Sequence, residues 1–284
     1  MYNKTFRGGV HPDDGKSFAR DIPFQTWLPK GDMVFHLNQH IGKPAKPVVQ
    51  KGDQVLAGQL IAEADGFVSA NIVSSCSGKV KAIEKRKNVL GTSDMSIVIE
   101  NDGQYTLAEG IGTEVDYTTL TGPEILDKVK AAGIVGLGGA GFPTHVKLAP
   151  KNPNDIRFVI ANGAECEPYI TADYRQILEH GEELVEGMKI ILRLFDNAKG
   201  LFGVEDNKPD CIEKLKELTK DEPRMEVLKL QTKYPQGGER QLIYATTGRA
   251  INSSMLPADA GCVVDNVATI SAIYRAVAKG EPSM

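Results

Sequence analysis

The chain has 284 residues, 41% of them hydrophobic and 25% charged, with a formal net charge of -4. That composition is ordinary for a soluble globular protein of about two domains. The 33 basic residues are outnumbered by 37 acidic ones and form no long run, which argues against nucleic acid as a partner. No apolar run approaches the length of a bilayer span, and the segment 1-MYNKTFRGGVHPDDGK-16 lacks the apolar core of a signal peptide. The expected site of action is therefore the cytoplasm. Cys76, Cys166, Cys211 and Cys262 are far apart and make no CxxC pair, so free thiols are expected, without a zinc knuckle or a local iron-sulfur motif.

In chain order, residues 1-30 are rich in Gly, Pro and Asp and read as an irregular arm. His11 and Asp13 within it fit a hydrogen-bonded turn better than a ligand pair. Residues 31-115 then break into short Val- and Ile-rich pieces punctuated by Gly-Asp, Ala-Gly, Asp-Gly and Ser-Gly turns, the pattern of a small all-β unit. Lys85, Arg86 and Lys87 read as a solvated turn. Residues 51-KGDQVLAGQLIAEAD-65 and 76-CSGKVKAI-83 resemble the barrel-sandwich hybrid of lipoyl and biotinyl carrier domains. Gly66 falls about where those carriers place the modified lysine, so the resemblance implies their fold without their carrier function.

From about residue 116 the pattern becomes α/β. Thr121 and Glu124 have capping-box spacing around Pro123, and Ile125, Leu126 and Val129 give an apolar helical stripe. The stretch 133-GIVGLGGAGFPTHVKL-148 follows, with glycines at 133, 136, 138, 139 and 141. Strands are expected at 157-161, 201-205, 225-230 and after Gly261, and helices at about 174-196, 209-219 (with Asn207 placed to cap it), after Arg240 and at the carboxyl end. Alternation of this kind predicts a Rossmann-like, mostly parallel sheet. Its ligand-facing loops would lie at or close to the carboxyl ends of the strands, the glycine-rich loop among them.

Two loops stand out chemically. Dense glycine fits either a phosphate cradle or a plain turn. The Rossmann fingerprint fails because a helix precedes the glycines and no carboxylate ends the next strand, and the Walker pattern fails because no Lys-Ser or Lys-Thr closes the loop. The second loop, 162-NGAECEPYITADYR-175, carries Glu165 and Glu167 around Cys166. Such carboxylates serve acid-base chemistry, hold a metal or are simply exposed. Their negative charge is expected to raise the Cys166 pKa and keep it from acting as a nucleophile.

The stretches 136-GLGGAGFPTHVK-147 and 162-NGAECEPYITADYR-175 resemble the flavin-binding subunit of respiratory complex I. They are more similar still to the family formed by the C subunits of Rnf electron transport complexes, which are ion-translocating ferredoxin:NAD oxidoreductases. So are 234-YPQGGERQLIYATTGR-249, 262-CVVDNVATISAIYRAV-277, 8-GGVHPDDGK-16 and 39-QHIGKPAKPVV-49, so that the resemblance covers essentially the whole chain. It implies FMN in an α/β domain spanning 116-284. Gly136, Gly138, Gly139 and Gly141 would wrap the flavin and its phosphate side, with Lys147, Asn162 and Glu165 beside the flavin and Asn266 and Thr269 holding the phosphate end. Phe142, Glu167 and Glu239 would face NAD(H), the substrate. Hydride would pass between nicotinamide and flavin N5.

The resemblance also implies partners: the other Rnf subunits, and ferredoxin through the complex, on the cytoplasmic face of the membrane and peripheral to it. Leu137, Ala164 and His145 replace an arginine, an aspartate and a glycine of the complex I version, which changes the charge beside the cofactor. The family continues into a β-grasp-like domain and two CxxCxxC runs, so [4Fe-4S] clusters are expected only in that region, beyond Met284. Two rival readings stand beside this one. One is a metal-dependent hydrolase using Glu165 and Glu167, and the other is a non-catalytic assembly module with an empty flavin site.

Overall fold

The computed structural model describes residues 4-284. They divide into two compact units, one of the residues up to 25 with 148-274, the other of residues 26-147 with 275-284.

In the second unit, β1 (Asp32–His36), β2 (Lys46–Pro47), β3 (Gln54–Val55), β4 (Leu60–Glu63), β5 (Ile72–Val73), β6 (Gly78–Lys87) and β7 (Ser93–Asn101) form two antiparallel sheets, ordered β1-β7-β6-β3 and β2-β4-β5. Alternation drives the packing. Val80 on β6 and Met33 on β1 flank Ile99 on β7, and Phe35, Val55, Ile61, Ile72 and Ile97 complete an apolar interior. Each fully buried isoleucine contributes roughly 1.5–3 kcal/mol relative to exposure. This is the small all-β unit that the sequence pattern predicts, in the two-sheet form that the resemblance to carrier domains implies. Lys85, Arg86 and Lys87, read above as a turn, instead continue β6 opposite Ser93–Met95, because the β6-β7 hairpin is longer than its apolar part. The turn is made further on, where Asn88 accepts from the backbone of Leu90 and Thr92.

The same unit holds α1 (Gly122–Ala131) and α2 (Thr144–Lys147). The capping box is present as predicted: the Glu124 carboxylate accepts from the Thr121 backbone N-H at 2.7 Å.

The other unit is built on one parallel sheet. Its elements are β8 (Phe158–Gly163), α3 (Ala172–Leu192), β9 (Lys199–Glu205), α4 (Pro209–Leu218), β10 (Met225–Leu230), α5 (Glu239–Thr247), β11 (Cys262–Asn266) and α6 (Val267–Ala278), whose last turn is counted with the β unit. Strand order is β10-β9-β8-β11. The chain winds outward from β8 through β9 to β10, then crosses back to place β11 on the other side of β8. The direction of winding reverses between β8 and β11. In open parallel sheets that switch point, at the carboxyl ends of the strands, is where ligands bind.

Three local expectations are corrected. α3 is not one even helix of 174-196 but begins at Ala172, ends at Leu192 and breaks regularity at His180 (φ -129°, ψ 32°). Asn207 does not cap α4; Lys208 occupies that position, and the Asn207 amide donates instead to Asp14 at 3.0 Å. The glycine-rich loop does not follow a strand of the parallel sheet in the chain; it connects α1 to α2 and is counted with the β unit.

The arm of residues 4-25 is irregular but docked. Lys4 forms a parallel bridge with Leu230 at the end of β10, and Val10 pairs with Tyr234. The His11 ring meets the Thr232 carbonyl at 3.1 Å, while Asp13 closes a turn on the Gly15 N-H. Further along, Glu179 of α3 accepts from the Phe24 N-H.

Candidate functional site

The switch point brings three of the implied residues together. Asn162 and Asn266, 104 positions apart in the sequence, are direct register partners at the ends of β8 and β11. Asn266 begins α6 as its cap: its Oδ1 accepts from the Ala268 N-H at 2.8 Å, and its Nδ2 donates to Asp173 at 2.7 Å. Thr269, in the first turn of α6, is fully buried. The Asn162 amide donates to the Gly237 carbonyl at 2.9 Å, and its oxygen accepts from the Ala164 N-H. The 162-175 loop is thereby tied to the loop before α5. The Gly237 N-H closes the same joint on Cys166 Sγ at 3.2 Å.

The second loop turns one carboxylate inward and one outward. Glu167 is exposed, whereas Glu165 is 8% exposed and sits at φ 47°, a left-handed conformation uncommon for a residue with a side chain. Glu165 Oε1 accepts from the Asp173 N-H at 2.6 Å, while Oε2 has no hydrogen-bond partner and faces Lys16 Nζ at 3.5 Å. Burial pushes the Glu165 carboxyl up against the opposing pull of Lys16. Asp173 is pushed up to about 7, first by burial and then by the nearby negative charge of Glu165.

Sequence reasoning assigned no role to Lys16, Asp173, Glu205 or Lys208, which complete this cluster. Lys208 and Glu205 are each 1% exposed. The Lys208 ammonium donates to the Ala164 carbonyl at 2.7 Å and to Glu205 Oε2 at 3.4 Å. Burial drives the Lys208 pKa down and the Glu205 pKa up. The Glu-x-x-Lys spacing is visible in the sequence, but there it reads as a surface pair. A cavity of about 100 Å³ adjoins this cluster, lined among others by Asp14, Lys16, Cys166, Glu205 and Lys233. Cys166 is partly buried, and its pKa is raised chiefly by burial. The negative charge acting on it comes from Glu205, not from the flanking glutamates that the sequence suggested. Glu239 is exposed and is the first residue of α5, where a carboxylate suits the helix dipole.

The remaining implied residues belong to the β unit. Val135 and Pro143 pair as an isolated bridge, and the Gly136 N-H donates to the Phe142 carbonyl at 2.9 Å. Between them the apex, 137-140, is exposed. Gly141 has φ 66°, and a Cβ there would lie 3.1 Å from the Gln39 carbonyl, so glycine is required by backbone packing alone. Gly139 differs: its φ is unremarkable, and a Cβ would meet nothing within 4 Å. Lys147 ends α2, half-buried, and Phe142 is half-buried too. No group of three or more His, Cys, Asp or Glu among the described residues is arranged to hold a metal ion.

Residues 129-275 match the family model described as the Nuo51 FMN-binding domain, and residues 4-104 match the RnfC barrel sandwich hybrid domain. The chain is 49% identical over 280 residues to the C subunit of the proton-translocating ferredoxin:NAD(+) oxidoreductase complex of Clostridium ljungdahlii, covering 98% of this chain and 61% of that one. It is 44% identical over 278 residues to the C subunit of the Na(+)-translocating ferredoxin:NAD(+) oxidoreductase complex of Acetobacterium woodii, covering 98% and 63%. The chain thus spans about three-fifths of the length of these relatives. Among solved structures, an NAD+-reducing [NiFe]-hydrogenase matches at 25% identity and TM-score 0.47 over 62% of this chain and 36% of that one. A parallel sheet with its switch point at Asn162 and Asn266 and the matched FMN-binding domain lead to one conclusion: the chain, similar along its length to the C subunits of ion-translocating ferredoxin:NAD oxidoreductases, belongs to the Nuo51 FMN-binding domain family.

Proposed function

We propose that the chain binds FMN and serves NAD(H)-linked electron transfer as a subunit of an ion-translocating ferredoxin:NAD oxidoreductase complex. The observation that carries this reading is the pairing of Asn162 with Asn266 at the switch point, where Asn266 starts α6. A helix start at the carboxyl edge of a parallel sheet presents N-H groups and a positive dipole end to a phosphate.

Two further features support a flavin as the ligand. The exposed apex carries two glycines, Gly138 and Gly139, and Gly139 leaves open the space a Cβ would fill. The cluster at the strand ends keeps ionisable groups out of water, an arrangement that recurs at functional sites. We assign Asn162, Glu165, Asn266 and Thr269 in the α/β unit, and Gly136, Gly138, Gly139, Gly141 and Lys147 in the β unit, to the cofactor. Phe142, Glu167 and Glu239 are assigned to the nicotinamide nucleotide.

When bound, FMN supplies the redox chemistry with NAD(H). The protein's own part is binding and polarity. Asn266 holds the α6 start and fixes Asp173, Asn162 locks two loops together, and Lys147 adds positive charge. No protein general base is needed for the transfer. Partners follow from the relatives: other subunits of such a complex, with ferredoxin as the second redox partner. No helix among the described residues is long and apolar enough to cross a membrane, so contact with the membrane would come through those subunits.

FMN titration followed by flavin fluorescence tests the reading. The wild type is expected to bind. Gly139→Glu, which has room in the fold, is expected to keep the melting temperature and weaken FMN by about tenfold or more through repulsion of the phosphate. Absence of binding by the wild type would remove the proposal. Equal binding by the variant would remove the glycine apex from the site.

A further inference from the structure

The arm segment 8-GGVHPDDGK-16 has no part in the reading above, yet its last residue enters the switch-point cluster. Lys16 is 5% exposed, and its ammonium donates to the carbonyls of Glu167 at 3.1 Å and Ile170 at 2.5 Å, with Glu165 Oε2 at 3.5 Å. The approach to this position is itself built. Asp14 Oδ1 accepts from the Lys16 N-H, Asp14 Oδ2 accepts from the Asn207 amide, and the Asp14 carbonyl accepts from the Tyr169 N-H at 2.7 Å. Gly15 has φ 56°, and a Cβ there would fall 2.5 Å from the Tyr169 ring, so no other residue fits between Asp14 and Lys16 without displacing the turn.

We propose that Lys16 is a positioning residue for the switch-point site: the arm inserts its ammonium under the 165-170 turn and holds Glu165 in its left-handed conformation, so that the site is complete only with the arm docked. The proposal rests on the FMN reading for what the site binds, and on geometry alone for what Lys16 holds. Burying an ammonium is costly, and only well-placed partners offset the cost. Here two carbonyls and a carboxylate are those partners, and all three belong to the loop that carries Glu165 and Glu167. The groups facing Glu165 are Lys16 from the arm, Asp173 at the start of α3 with Asn266 behind it, and Lys208 from the turn before α4, itself paired with Glu205 of β9.

With Lys16 replaced by Met, Glu165 keeps its burial and the neighbouring Asp173 but loses the cation that faces it at 3.5 Å. Its titration must move upward. Carbon-13 carboxyl NMR of the protein without added flavin reads this directly, with the resonance assigned through Glu165→Gln. The expected result is a rise of about one pH unit or more in the Glu165 midpoint in Lys16→Met. An unmoved midpoint would overturn the proposal. Should Lys16→Met not fold, Asp14→Ala removes the anchor of Lys16 and is expected to shift the same midpoint in the same direction; no shift there has the same consequence.

FMN titration of Lys16→Met, Glu165→Gln and the double variant then tests the route. Action through Glu165 predicts that Lys16→Met weakens FMN by about tenfold and that the double variant is no weaker than Glu165→Gln alone. Additive losses would mean that Lys16 acts elsewhere. If the wild type binds no FMN, the functional reading fails, while the carboxyl titration still decides the role of Lys16.

Discussion

The two units bury opposite kinds of surface. The interior of the β unit is Phe35, Leu37, Val55, Ile61, Ile72, Val80, Ile97 and Ile99 with the small residues between them. The carboxyl edge of the parallel sheet buries Lys16, Glu165, Glu205, Lys208 and Lys233. The first interior follows from area alone, since every side chain in it gains by leaving water. The second costs desolvation for each charge and persists only because partners are aimed at it: a carbonyl and a carboxylate on Lys208, the Lys233 N-H on Glu205 and the Asp173 N-H on Glu165. A fold that needed only stability would have placed apolar residues at that edge. The contrast supports the proposed placement of the chemistry at the α/β unit's strand ends.

The contrast can be broken from either side. Lys208→Met should have the largest effect, because it leaves Glu205 buried beside an unmatched Ala164 carbonyl; about 3–5 kcal/mol of stability should be lost in urea unfolding. Ile99→Ala, in the middle of the apolar interior, should cost about 3 kcal/mol by the same measurement, with no change in its dependence on pH.

Asp173 should separate the interiors by pH. Its folded pKa, about 7, lies above the ordinary value of 3.8, so the folded state holds this proton more tightly than the unfolded chain. The resulting stability is fully present below pH 3.8 and is lost as pH rises toward 7, with a slope of up to about 1.4 kcal/mol per pH unit from this one group. Asp173→Asn keeps an acceptor for Asn266 and should flatten the slope in that window. An unchanged slope would mean that Asp173 is ionised throughout.

Glu239→Gln should be the smallest change. An exposed carboxylate at the start of α5 stabilises by about 0.3 kcal/mol through the helix dipole, so melting should barely move. If Glu239 holds a ribose, the NADH concentration needed for half-maximal flavin bleaching should rise instead by about tenfold, the equivalent of one charged hydrogen bond.

The amino-acid sequence by itself determined the elements and their kind. Val- and Ile-rich pieces between glycine-containing turns marked β6 and β7, the Thr121-Glu124 spacing marked the start of α1, and 225-230 was read to the residue as β10. These signals are local, carried by residues within a turn or a pleat of each other. Residues 162-175 and 262-277 also marked the candidate site region, because their motifs are contiguous. Tertiary structure alone decided which charges go inside. Lys16 meets Glu167 across 151 positions and Lys208 meets Ala164 across 44. Nothing in the segment 8-GGVHPDDGK-16 distinguishes a buried lysine from a solvated one. Tertiary structure also made Asn162 and Asn266 neighbours, since the crossover from β10 to β11 sets that register, and it grouped the glycine loop with the β unit. Burial of a charge depends on the sum of its distant partners, and that sum exists only once the chain has closed around it.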